Sequence, residues 1–163
     1  MALGRGLSYL YVGPSADPGY AAFKELLATG ARGLCMTRHN PDAVRERYGL
    51  ACPVIWLART ERTSDNCQNV HPEHILKIHT IITAFLRVEG ESVIMLDGIE
   101  YLITHNDFNS VLKLISLINE RIAISKSRLL MPVNAAALEP KELGLLEREC
   151  TRVDDGAPPA PPS

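Results

Sequence analysis

Residues 92–98 read Ser-Val-Ile-Met-Leu-Asp-Gly. The four apolar side chains from Val93 to Leu96 leave no polar face, so a strand formed here must be covered on both sides. Asp97-Gly98 is a turn pair that closes it. The same kind of unit recurs along the chain. Residues 7–12 (LSYLYV) stop at Gly13-Pro14, residues 33–38 (GLCMTR) lead to Asn40-Pro41, residues 53–58 (PVIWLA) run into a polar stretch, and residues 128–133 (RLLMPV) end at Asn134. Strict alternation would mark a sheet with one wet face; near-continuous apolar runs predict a parallel sheet buried on both.

Helix patterns lie between these runs. Asp17-Pro18 reads as an N-cap followed by proline at the first helical position, and Tyr20, Phe23, Leu26 and Leu27 share a face up to Gly30. Asn40-Pro41 repeats the device for a helix that reaches Tyr48 and stops at Gly49. Further helices are expected from Pro72 to about Val88, from about Asp107 to Ile124, and from Glu139 to about Arg148. Residues 59–70 are polar and unpatterned and read as the longest loop. Five alternations of strand and helix predict an α/β three-layer sandwich: a five-stranded, mostly parallel sheet with helices on both faces. Residues 1–152 are expected to form one domain. Residues 153–163, ending in GAPPAPPS, read as a disordered, proline-rich tail.

Composition agrees with one globular domain: 163 residues, 46% hydrophobic and 22% charged. A net charge of −2 gives no electrostatic pull toward nucleic acid or an anionic membrane. Cys35, Cys52, Cys67 and Cys150 are scattered without a CxxC pair, which suits a reducing compartment. Residues 1–6 lack the apolar core of a secretion signal, and no apolar run reaches the ~18 residues of a membrane span, so a cytoplasmic location is expected.

In an open α/β sheet, ligands bind beyond the carboxyl ends of the strands. The loop Gly13-Pro14-Ser15-Ala16-Asp17-Pro18-Gly19-Tyr20 occupies the place of a phosphate loop but lacks its glycine spacing and its Lys-Ser/Thr pair. Pro14 and Pro18 remove two N–H donors, and a capping Asp17 would put a carboxylate where a phosphate would sit. The strand ending at Asp97 looks like a Walker B element, whose carboxylate holds magnesium, yet any parallel strand can end in Asp as a turn residue. Glu100 and His105 lie nearby in sequence. Arg38, Arg59 and Arg62 read as a possible anion site at one sheet edge, since arginine forks suit carboxylate or phosphate; pairing with Asp42 and Glu61 is the plainer reading. The tentative ligand set is therefore Asp97, Glu100, Arg38 and Arg59.

Other chemistries fail on residue type. Receiver-type phosphorylation needs an acceptor Asp after the third strand and a Lys after the fifth, where Arg59 and Asn134 stand. Cys67, His71, His74 and His79 have spacing C-x3-H-x2-H-x4-H, which fits no zinc pattern. No GxSxG is present, and Cys35 falls inside a buried strand. No catalytic residue, metal ligand or cofactor is expected.

One pattern points to a partner. Six of the eight residues 111–118 are apolar, wider than one face on a sheet requires, so Val111, Leu114, Ile115 and Ile118 are the expected contacts of a homodimer or other interface. The helix after Pro72 is similarly apolar. The PxxP spacings at Pro158–Pro161 and Pro159–Pro162 could suit an aromatic groove, though a solvated terminus accounts for them.

Residues 33–38, 40–50 (NPDAVRERYGL), 53–60 (PVIWLART), 93–103 (VIMLDGIEYLI), 106–118 (NDFNSVLKLISLI) and 129–149 (LLMPVNAAALEPKELGLLERE) resemble the archaeal domain of unknown function 835 family. The resemblance spans about residues 7–149. It implies a RecA/KaiC-like, P-loop-like core without the Walker A loop, and a role beside sensory modules. The leading expectation is a non-enzymatic signalling or regulatory interaction module that self-associates or meets a partner such as a sensory protein, without nucleic acid or membrane. The alternative is a nucleotide or small-anion binder, with enzymatic activity left open, that uses Asp97.

Overall fold

A computed structural model of the protein describes residues 3–60 and 68–154. The elements run β1 (Leu7–Val12), α1 (Asp17–Ala28), β2 (Arg32–Thr37), α2 (Pro41–Tyr48), β3 (Val54–Leu57), β4 (Gln68–Val70), α3 (Ile75–Leu86), β5 (Ser92–Asp97), α4 (Ile99–His105), α5 (Phe108–Ser125), β6 (Arg128–Val133), α6 (Pro140–Glu149) and β7 (Thr151–Asp154). A 3-10 turn at Ala135–Ala137 joins β6 to α6. The strands form one sheet in the order β4-β3-β2-β5-β6-β1-β7, and every pairing is parallel.

The sheet therefore has seven strands rather than the five expected. Both additions are edge strands, short and polar, as edges that must not recruit other chains tend to be. β4 (Gln-Asn-Val) lies inside the stretch read as a loop, with only Val70 buried. β7 (Thr-Arg-Val-Asp) alternates, with Val153 buried beside β1. Residues 153 and 154 thus belong to the domain and not to the tail. Residues 155–163 lie outside the described part, as do Glu61, Arg62 and Cys67.

Side-chain alternation along the central strands divides the core into two layers. Leu10, Leu34, Met36, Ile94, Leu96 and Met131 face the side covered by α3, α4, α5 and α6. Tyr9, Tyr11, Cys35, Val93, Met95 and Leu130 face α1 and α2. The α2 start is as read from the sequence: Asn40 Oδ1 accepts hydrogen bonds from Asp42 N at 2.9 Å and Ala43 N at 3.5 Å, and Gly49 closes the helix at φ 65°. Among the described residues, no helix is long and apolar enough to cross a membrane.

The wide apolar face of α5 has a different cause from the one expected. Val111, Leu114, Ile115 and Ile118 are all buried within the monomer. α5 packs on the sheet while contacting α3, α4 and α6, so it needs apolar residues around more than one stripe. These four are buried in the core of the monomer, which accounts for their apolar character without a partner. Accordingly, Ile115→Ala should lower unfolding stability by about 3 kcal/mol in urea denaturation, from the cavity it leaves. Its oligomeric state, read by light scattering, should stay that of the native chain.

Candidate functional site

The period of two along β5 directs Val93, Met95 and Asp97 toward the α1–α2 layer, so the strand ends with a carboxyl on a covered face. Asp97 is 7% exposed. A buried carboxyl must find donors. Tyr20 O–H donates to Asp97 Oδ2 at 2.7 Å, and Thr37 Oγ1, the register partner across β2, donates to the same oxygen at 3.3 Å. Thr37 Oγ1 in turn accepts from His39 N at 3.1 Å.

Tyr20 reaches this position from the first turn of α1. Gly19 lets that turn approach β6: a Cβ there would stand 3.1 Å from Pro132 Cγ. The Tyr20 ring stacks on Tyr48 with centroids 3.9 Å apart and planes 7° from parallel. Tyr48 O–H donates to Asp17 Oδ1 at 2.6 Å, and Arg47 Nη2 donates to both Asp17 oxygens at 3.1 and 3.2 Å. Asp17 is thus not the N-cap that Asp17-Pro18 suggested. Ala16 holds that position without a side-chain bond, and the Asp17 carboxylate ties α1 to α2.

Burial keeps Tyr20, Tyr48 and the neighbouring Cys35 in their neutral forms. Burial, reinforced by the neighbouring Cys35 and Asp97, pushes the Tyr20 hydroxyl far above the usual tyrosine range, so it stays a donor. Burial also raises the Cys35 thiol, which lies 3.7 Å from Tyr20 Oη and is no thiolate nucleophile. Tyr48 is pushed up to about 12, by burial first and then by its bond to Asp17. The bond from Tyr48 is the main cause that holds the Asp17 carboxyl below its ordinary value. On β1, Tyr11 is likewise raised to about 12 by burial, and its hydroxyl has no hydrogen-bond partner among the described residues.

Beside Asp97 lies a cleft of about 200 Å³, lined by residues 13–16, His39, Glu100 and residues 132–134. Ligand pockets for organic molecules usually start near 300 Å³. Its amides are largely committed: Gly13 N bonds to Val133 O at 3.0 Å, Pro14 has no N–H, and Asp17 N bonds to Ser15 Oγ at 3.1 Å. Glu100 Oε2 accepts from Asn134 N at 3.0 Å, which pins the turn after β6. With prolines at 14 and 18 and the Gly13 and Asp17 N–H groups already bonded, the loop has fewer free donors than a phosphate loop has.

Of the ligand set read from sequence, Asp97 and Glu100 meet at this cleft, whereas Arg38 and Arg59 do not line it. The Arg38 guanidinium sits 5.1 Å over the Tyr101 ring, and Arg59 is exposed after β3. Neither arginine therefore brings its charge to the cleft at Asp97. His71 and His74 have rings 5.2 Å apart, with His71 Nδ1 accepting from Glu73 N at 3.1 Å. Among the described residues no three His, Cys, Asp or Glu side chains gather as a metal site. Tyr20, Thr37 and Tyr48 were not legible as site residues: Tyr20 reads as one more apolar-face position, and nothing local ties it to a residue 77 positions on.

A family model described as "Protein of unknown function (DUF835)" matches residues 14–150. No curated protein matches the sequence. Among solved structures, a structural-study target from Pyrococcus horikoshii OT3 superposes with a TM-score of 0.64 at 10% identity, covering 93% of this chain and 83% of that one. The flagellar accessory protein FlaH from Methanocaldococcus jannaschii superposes with a TM-score of 0.65 at 14% identity, covering 94% and 72%. At these identities the likeness is one of fold.

Two outcomes follow from the Tyr20–Asp97 contact. Tyr20→Phe should cost about 2 kcal/mol in chemical denaturation, since Asp97 then keeps only the Thr37 donor. Asp97→Asn, which retains an acceptor, should cost less. The raised tyrosines also set an alkaline limit. With ordinary values of 10.0 and folded values of about 12 for Tyr11 and Tyr48, their contribution is complete below pH 10. Above that the unfolded chain ionises first, so stability should fall as pH climbs toward 12, and tyrosinate absorbance should appear together with unfolding.

Proposed function

This chain belongs to the DUF835 family, and for it we propose a non-catalytic regulatory or accessory role, exerted through protein contacts on a RecA/KaiC-like core that has given up nucleotide chemistry. The observation that carries this reading is Tyr20 O–H on Asp97 Oδ2 at 2.7 Å. In P-loop hydrolases the corresponding strand-end carboxylate faces magnesium and its water. Here a neutral phenol of the same chain donates to one oxygen of the carboxyl, and the Tyr48 ring stacks on that phenol.

The surroundings support the same reading. The loop after β1 keeps the place of a phosphate loop without its donors or its lysine. Asp97 and Glu100 both line the cleft without an arginine between them, which disfavours an anion. The alternative of a nucleotide or small anion held at Asp97 therefore lacks both volume and countercharge. A shared fold with a protein named as a flagellar accessory protein agrees with an accessory role. On this reading a protein partner, such as a sensory protein, acts through surface contact.

Isothermal calorimetry with ATP and magnesium tests the proposal. The native protein and Asp97→Asn should both give flat traces. Saturable heat from the native protein that Asp97→Asn abolishes would overturn it in favour of the nucleotide-binding alternative.

A further inference from the structure

The two faces of the sheet are covered very differently. Among the described residues, the exposed large aliphatic side chains are Leu76 (78%), Ile124 (74%), Val88 (53%) and Leu117 (42%). All four lie on α3, on the turn after it, or on α5; none lies on the α1–α2 face. α3 and α5 pack against each other, and α3 has Lys77 as its only Lys, Arg, Asp or Glu. Leu117 and Ile124 are seven residues apart and so project from one side of α5.

Between the first halves of these helices runs a groove of about 510 Å³ with Ile75, Leu114 and Leu117 in its walls and Leu76 beside them. Glu73 and Lys113 line the same groove, and neither has a salt-bridge partner among the described residues. The groove thus carries an apolar knob, an apolar slot, and one free charge of each sign.

We propose that this face binds a second copy of the chain as a twofold dimer; this names a partner for the contact-based role proposed above and rests on that reading. A twofold interface uses one patch twice, so the patch must complement itself. Setting Leu76 of one copy into the Leu114–Leu117 wall of the other brings each Glu73 toward the opposite Lys113. A partner of uniform charge would satisfy only one of the two. Helices of 12 and 18 residues, about 18 and 27 Å long and ~10 Å wide, lie side by side and give a projected face on the order of 450 Å², enough for the centre of an interface whose standard size is ~800 Å² per partner.

Light scattering across the micromolar range, with circular dichroism to verify folding, tests this on the full chain. The native protein should be a dimer. Leu76→Asp, at an exposed position, should raise the dissociation constant by about tenfold or more. Glu73→Lys and Lys113→Glu should each weaken association, and the double reversal should restore it. A native monomer throughout the range, or a dimer indifferent to Leu76→Asp, would overturn the proposal, and failure of the double reversal to restore association would overturn the twofold register. A monomer that binds no ATP defeats the dimer alone, whereas a dimer that binds ATP at Asp97 defeats only the non-nucleotide reading.

Discussion

A carboxyl buried at the end of a central strand has to be satisfied from inside the protein, and the arrangement around Asp97 follows from that requirement. Parallel strands deliver all their carboxyl ends to one edge, where helices and loops close over them. Asp97 takes its donors from two elements, Thr37 on the adjacent β2 and Tyr20 on α1. Tyr20 comes within reach only because Gly19 lets α1 press on Pro132. Its ring is then held by Tyr48, whose own hydroxyl fixes Asp17 and so ties α2 back to the start of α1. One buried polar group thereby sets the seating of both helices on that face. The same contact commits one oxygen of the strand-end carboxyl to a donor from within the chain.

Much of the architecture was legible in the sequence because its cause is local. The apolar runs at Val93–Leu96 and Leu129–Met131 have no polar face and could only be doubly covered strands, and they are. Asn40-Pro41 and Gly49 carry their capping geometry in their own chemistry. What escaped notice was set by distant packing. Gln68–Val70 and Thr151–Asp154 become strands because β3 and β1 offer them open edges, not because of strong propensity. The α4 helix is only seven residues long and begins directly after Gly98, which left little periodic pattern to read.

At the site the same division holds. Asp97 and Glu100 stood out by following an apolar strand, and both line the cleft. Arg38 and Arg59 follow two adjacent strands, yet neither lines the cleft: Arg38 stands over Tyr101 and Arg59 is exposed. The apolar excess of α5 was real, but sequence alone does not distinguish a helix enclosed by three neighbours from one enclosed by a partner. Only exposure separates Leu117 and Ile124, which face outward, from Leu114 and Ile118, which do not. The exposed apolar surface therefore overlaps the stretch 111–118 at Leu117 and is shared with α3 rather than confined to α5.

The proposed role depends on Tyr20 keeping Asp97 Oδ2 engaged when a metal ion is offered. Carbon-13 NMR of the Asp97 carboxyl during a magnesium titration tests it most directly. If the Tyr20 bond persists, the resonance stays in place through millimolar magnesium. A saturable shift of that resonance, with release of the Tyr20 hydroxyl proton to rapid exchange, would contradict it.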